Sequence, residues 1–375
     1  MSVPQVLGAY QMKGKLAVGG QSEVWLGLHR GPGGFRRRCA LKLVLPPASL
    51  DDVVRKNFFA EARLMAQFDH PNLVAMTDLG IDEETDILFA AMPYVSGRSL
   101  ATLMRDGSVD FDLPDVLWII SRVLLALHYA HELRDDKGRH LSVIHRDVSP
   151  ENILIGFEGG VRLVDFGIAL SSINPRSTRM HVVKGKLEYL SPEQASAVPS
   201  ITVGTDIYSA GLVLYSLLTG NNPLSGNPDT ALARARNPKI RPLSDFKAFP
   251  IDLEPVVFEM LHVDPQRRPT DALKLARTLV TMLRRADPDY DEYSFTETSK
   301  RVLGPHLAGE RQFLMELQSE GTQVIDTRAA AVSSEIPPRR KTIPARLHQK
   351  TPVFEEKKEE DLDDIFRELE EIYED

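Results

Sequence analysis

Through the first hundred residues, apolar side chains come in short β-prone runs at 15–18, 23–29 and 38–45, punctuated by Gly19-Gly20 and Gly31-Pro32-Gly33-Gly34. Runs of this length between glycine-rich turns predict strands joined as hairpins. One stretch breaks the pattern: Val54, Phe58, Ala62 and Met65 recur at helical spacing within 51–68 and predict a single helix with one apolar face. From Pro114 onward the apolar spacing is mainly helical, over 114–132, 203–219 and 270–285, with a small strand region near 143–165. A β-rich front joined to an α-rich back predicts an α+β fold of two lobes, about 10–92 and 96–285, with a cleft between them. No internal repeat is visible.

Past residue 287 the character changes. A helical extension is expected over 286–319, with its helix at roughly 294–318, and then a Pro-, Thr- and Arg-rich stretch over 320–353 reads as a disordered linker. The final 354–375 segment is acidic, yet Leu362, Ile365, Phe366, Leu369 and Ile372 fall on one face of a helix. An amphipathic helix that docks on a partner and a solvated acidic tail are both compatible with that spacing.

Composition narrows the function classes. With a net charge of -8 and a pI near 5.8, the chain lacks the basic footprint that nucleic acid demands. A single cysteine, Cys39, can form neither an internal disulfide nor a multi-cysteine metal site. The first residues carry no basic stretch leading into an apolar run, and the most apolar segments, 116–130 and 207–218, are interrupted or short for a bilayer. These readings predict a cytoplasmic protein with neither nucleic-acid nor membrane partners.

The chemistry is concentrated in Ile144-His145-Arg146-Asp147-Val148-Ser149-Pro150-Glu151-Asn152 and, thirteen positions on, Asp165-Phe166-Gly167. Phosphoryl transfer needs a carboxylate to orient and deprotonate the attacking hydroxyl, and oxygen ligands to hold Mg2+ against the phosphates. Asp147 supplies the first, and Asn152 and Asp165 supply the second.

Those motifs make the sequence resemble the eukaryotic-type serine/threonine protein kinase family, in particular its bacterial branch, over about three quarters of the chain. The resemblance implies a bilobal kinase fold that uses ATP and Mg2+ and phosphorylates serine or threonine hydroxyls of protein substrates, in bacterial signalling and on itself. It also implies roles for particular residues. The run Leu16, Ala17, Val18, Gly19, Gly20, Gln21, Ser22, Glu23 and Val24 stands where the family covers the ATP phosphates with a glycine-rich loop. Lys42, in Cys39-Ala40-Leu41-Lys42, matches the lysine that binds the α and β phosphates, and Glu61 matches its partner on the following helix. Met92, Pro93 and Val95 resemble the lobe connector whose backbone receives adenine. Ser191-Pro192-Glu193 looks like the end of the activation segment, and Asp206 and Arg268 match two buried family residues expected to brace the catalytic loop and to pair with Glu193.

The departures are specific. Only Gly19 remains of the family's three loop glycines, with Ala17 and Ser22 at the flanking positions. Ser149 replaces the usual lysine two residues after the catalytic aspartate, and Lys186 replaces a usual threonine. We expect these two changes to compensate, with the Lys186 ammonium serving the γ-phosphate region; two unrelated changes in a slow or inactive enzyme are the alternative. Arg146 beside Asp147 suits activation by phosphorylation, with Thr178 the first candidate and Ser177 the second. Pro150-Glu151 resembles the serine/threonine form of the loop and not the tyrosine-kinase form. Two other readings remain: a pseudokinase scaffold, favoured by Ser149 and the eroded loop, and a small-molecule phosphotransferase, opposed by the Ser191-Pro192-Glu193 segment.

Overall fold

The computed structural model of the chain describes residues 3–19, 22–107, 110–166, 186–198, 201–227, 230–316 and 325–326. The first lobe is a sheet of β1 (Val6–Leu7), β2 (Tyr10–Val18), β3 (Ser22–Arg30), β4 (Arg36–Val44), β5 (Asp78–Asp82) and β6 (Ile87–Pro93). Its order is β1-β2-β3-β4-β6-β5. β2 and β4 begin earlier than the sequence runs suggested, because the ladder continues through Tyr10–Gly14, with Tyr10 and Met12 buried, and through the exposed Arg36 and Arg37 paired with the end of β3.

Alternation along β4 divides the lobe into two apolar layers. Cys39, Leu41 and Leu43 pack with Leu7, Trp25 and Phe89 on one face, while Ala40 and Val44 join the core that continues into the second lobe. The expected helix is α1 (Asp52–Ala66), started by Asp51, whose carboxylate accepts the Val53 and Val54 N–H groups at 2.8 and 3.0 Å. Its buried face holds Phe58, Ala62 and Met65 as expected, with Glu61 among them and Val54 only half-buried.

The connector after β6 leads to β7 (Gly97–Ser99), α2 (Leu100–Arg105) and the central α3 (Leu113–His131). Among the described residues α3 is the one helix long and apolar enough to cross a membrane; its Ile119, Ile120, Leu124 and Leu127 are completely buried, as in the core helix of a lobe. The strand region expected near 143–165 contains only β8 (Ile153–Gly156) and β9 (Val161–Leu163), paired with β7 in a small sheet. Residues 143–152 instead run as a loop closed by a 3₁₀ turn over Pro150–Asn152. Arg146, at φ +66°, takes a left-handed conformation that a strand cannot accommodate.

The remaining lobe is helical: α4 (Pro192–Ala195), α5 (Val203–Thr219), α6 (Ala231–Arg236), α7 (Leu253–Met260) and α8 (Ala272–Ala286). Beyond it, α9 (Glu292–Glu316) lies along α3, and β10 (Ile325–Asp326) pairs in parallel with β2 at Gly14 and Lys15. The β-rich lobe, the helical lobe and their connector are the bilobal kinase fold that the sequence predicted.

Candidate active site

Lys42 lies in the middle of β4, opposite Val24 on β3 and Ala90 on β6, so both neighbouring strands fix its direction. Its ammonium meets Glu61 at 2.5 Å and Asp165 at 3.3 Å. Burial disfavours the charge, but Asp165 and Glu61 outweigh it and hold the ammonium protonated well above its ordinary 10.5. Glu61, with 4% of its surface exposed, reaches Lys42 because it falls on the inner stripe of α1.

The loop that carries Asp147 is held from below. Asp206, completely buried on the first turn of α5, accepts the backbone N–H groups of His145 and Arg146, both at 2.8 Å, and also contacts His131 Nε2 at 2.8 Å. Charge-assisted acceptance of two adjacent N–H groups supports the strained turn at Arg146. Gln194 adds a bond from above, its Nε2 donating to the Arg146 carbonyl at 2.8 Å. Sequence reading assigned a brace to Asp206 and missed His131 and Gln194. Each acts across a long chain separation, and only the capping box of Ser191 and Gln194 is visible locally.

Asn152 ties the loop to the strand that follows. Its Nδ2 donates to the Asp147 carbonyl at 2.8 Å and to Asp147 Oδ2 at 2.9 Å, while its own carbonyl accepts the Val164 N–H at 2.9 Å. His145 spans the same gap: Nδ1 accepts the Asp147 N–H at 3.2 Å, and Nε2 donates to the Val164 carbonyl at 3.0 Å. Burial pushes this imidazole below its ordinary 6.5, against the pull of the Asp206, Asp147 and Asp165 carboxylates, and the neutral ring makes both bonds. Phe166 lies between His145 and Phe68, with centroids 4.4 and 4.7 Å away, and so links this loop to the end of α1. Asp165, at φ +57°, turns sharply between β9 and Phe166.

The pair Asn152 and Asp165 fits Mg2+ by the chemistry of its donors. Asn152 turns its N–H groups to Asp147, which leaves the amide oxygen, and Asp165 offers a partly exposed carboxylate. Mg2+ prefers hard oxygen ligands and ordinarily takes few from protein, with phosphate and water completing the shell.

On the sheet side, Leu16, Val24 and Val95 pack, partly exposed, against the core that includes Ala40 and Met92. Ala17 pairs with Val24 and Val18 with Glu23, and the Gly19 N–H closes on the Ser22 carbonyl at 2.7 Å. The Glu23 carboxylate is occupied by Lys15 and the Trp25 indole, at 2.7 and 2.8 Å. Gly20, Gln21, Ser177 and Thr178 lie outside the described residues. Lys186 begins a 3₁₀ turn over Lys186–Tyr189, but its side chain is likewise outside them, as are the expected linker and acidic tail apart from β10.

A family model described as the protein kinase domain matches residues 10–281. The chain is a member of the protein kinase family. Among curated proteins, it is 34% identical over 284 residues to a protein of Myxococcus xanthus named tyrosine-protein kinase MasK, covering 74% of this chain and 44% of that one. It is 29% identical over 340 residues to serine/threonine-protein kinase PknB of Mycobacterium leprae, covering 85% and 51%. The chain thus spans about half the length of the curated relatives it matches. Among solved structures, the PknI kinase domain of Mycobacterium tuberculosis superposes with a TM-score of 0.55 at 27% identity, covering 74% of this chain and 97% of that domain.

Proposed function

We propose that this chain is an ATP-dependent protein serine/threonine kinase that acts in bacterial signalling and phosphorylates itself as well as protein substrates. The observation that carries the reading is the convergence of Lys42, Glu61 and Asp165 within ion-pair distance, beside an Asp147 fixed by Asn152.

Asp147 orients the acceptor hydroxyl and takes its proton as the hydroxyl oxygen bonds to the γ-phosphorus and the bond to the β,γ-bridging oxygen breaks, with ADP leaving. Lys42, held by Glu61, positions the α and β phosphates. Asn152 and Asp165 hold Mg2+, which neutralises phosphate charge when bound. The backbone of Met92, Pro93 and Val95 receives adenine, and the residues from Leu16 to Val24 cover the phosphates. Lys186 serves the γ-phosphate in place of the lysine absent at Ser149. Positioning and charge stabilisation supply the catalysis, so no covalent enzyme intermediate is needed.

The reading places the reaction in the cytoplasm, where ATP is supplied and a lone thiol such as Cys39 stays reduced. The acidic 354–375 segment serves as a docking helix for a partner. A tyrosine acceptor is the second reading, favoured by the name of the Myxococcus relative.

Incubation of the full chain with labelled ATP and magnesium, beside Asp147→Asn, followed by phosphoamino-acid analysis, tests both. Phosphoserine or phosphothreonine in the parent and none in the variant is expected. Phosphotyrosine alone favours the second reading, and no incorporation despite ATP binding favours a pseudokinase.

A further inference from the structure

The inward stripe of α9 is Phe295, Ser299, Val302, Leu303 and Leu307, which pack against the helical lobe. One helical turn further along the same stripe, where the pattern calls for another apolar residue, stands Glu310, with 3% of its surface exposed. A carboxylate buried there costs free energy unless it is paired and hydrogen-bonded, whereas an apolar residue would pack without that requirement.

Three groups satisfy it, Tyr94 and Ser96 from the connector between the lobes and Arg98 from the strand β7 that the connector leads into. Glu310 Oε1 accepts from the Tyr94 hydroxyl and, at 3.1 Å, from Ser96 Oγ, and Oε2 accepts from Arg98 Nη1 at 2.6 Å. Burial and the bond to Glu310 push the Tyr94 hydroxyl well above its ordinary value, so it remains a donor. Positions 94, 96 and 98 alternate along the connector and into β7. Val95 packs against the core that holds Met92, and a Cβ on Gly97 would meet the Ile155 carbonyl oxygen at 2.1 Å. The connector is thus gripped from both sides, and the outer grip is a single carboxylate.

The rest of α9 is anchored well away from that grip. Arg301 pairs with Asp110 at 2.9 Å, and Tyr290, just before the helix, donates to Asp115 at 2.5 Å. Trp118 on α3 packs beside both Tyr290 and Phe295.

We infer that Glu310 is a positioning residue for the nucleotide: through Tyr94, Ser96 and Arg98 it fixes the connector whose inner side takes adenine, and so α9 sets the affinity for ATP. This rests on the reading of Met92, Pro93 and Val95 as the adenine site.

The test compares the full-length parent with Glu310→Leu, which keeps the apolar stripe packed, and with Arg301→Ala, which loosens α9 elsewhere. Amide hydrogen exchange is read at 94–98 without nucleotide, beside the affinity for a non-hydrolysable ATP analogue and the steady-state constants. Glu310→Leu should speed exchange at 94–98, weaken the analogue and raise the ATP KM by about fivefold to tenfold, and leave kcat at saturating ATP within about twofold. Arg301→Ala should change none of these. Exchange and analogue affinity both unchanged in Glu310→Leu overturn the inference, even if its Tm falls. If the parent itself fails to bind the analogue, the functional reading falls, and exchange at 94–98 alone decides whether Glu310 fixes the connector.

Discussion

Arg268 and Glu193 stand 75 positions apart and meet in a buried two-pronged ion pair, Nη1 to Oε1 at 2.7 Å and Nη2 to Oε2 at 2.8 Å. Glu193 also accepts from Thr205 Oγ1 at 2.7 Å, and Arg268 donates to the carbonyls of His262, Gly204 and Val263 at 2.7 to 3.0 Å. The pair therefore staples α4 to the start of α5 and to the loop before α8. Arg268→Ala leaves Glu193 buried without its counter-charge, and a loss of about 3–5 kcal/mol is expected in urea unfolding. A loss below about 1 kcal/mol, the size seen for exposed pairs, would show that water reaches Glu193 in the folded state.

Two buried groups give the acid limb its shape. Burial keeps His145 below its ordinary 6.5, so below that pH the unfolded chain binds a proton that the folded one refuses, and stability falls as pH drops. Burial raises Glu193, but its bonds to Arg268 and Thr205 and the Arg268 charge outweigh this and hold the carboxyl below its ordinary 4.5. Its contribution is complete above 4.5 and is lost as pH falls through the lower, folded value. Stability measured against pH should therefore begin to decline below about 6.5 and steepen below about 4.5. Glu193→Gln should flatten only the second part of that decline, and an unaltered slope there would assign the acid limb to other carboxylates.

The close approach of β7 to β8 allows no side chain at position 97. A Cβ there would lie 2.1 Å from the Ile155 carbonyl oxygen and 2.8 Å from the Gly156 Cα, both backbone atoms that no rotamer change can move. Gly97→Ala should cost about 1–3 kcal/mol or more in urea unfolding. The same substitution at Gly107, at φ +67° with open space around it, should cost only the backbone strain, about 1–2 kcal/mol. If Gly97→Ala were the milder of the two, the small sheet would have room to separate.

How much of this was legible beforehand follows from the range of each contact. Asp147, Asn152 and Asp165 were singled out because phosphoryl transfer demands those residue types, and Glu61 because it matches the family's partner of the strand lysine; the structure brings Glu61 and Asp165 to the Lys42 ammonium and Asn152 to Asp147. His131 and Gln194 were not, since each meets its partner across a separation that no local pattern encodes. Val143, Ile144 and Val148 read as β-prone, but the left-handed turn at Arg146 overrides that propensity. Glu310 drew no notice within the helix expected at roughly 294–318, and only its place on the buried stripe of α9 singles it out. Glu23 was grouped with the phosphate loop on position alone, yet its carboxylate is bound to Lys15 and Trp25.

The exchange proposed between Ser149 and Lys186 separates two substitutions. Ser149 is 1% exposed, and its Oγ has no hydrogen-bond partner among the described residues. A hydroxyl so enclosed cannot reach a phosphate, so Ser149→Ala should leave kcat within about twofold. Lys186→Ala, if its ammonium serves the γ-phosphate as the charge develops, should lower kcat by about 10²-fold while the ATP KM moves much less, because the interaction strengthens toward the transition state. Turnover of Lys186→Ala equal to the parent would sink the exchange, and an equal fall in kcat for Ser149→Ala would move the missing function to the serine. Steady-state phosphorylation of a generic protein substrate, at saturating and limiting ATP, distinguishes the three results.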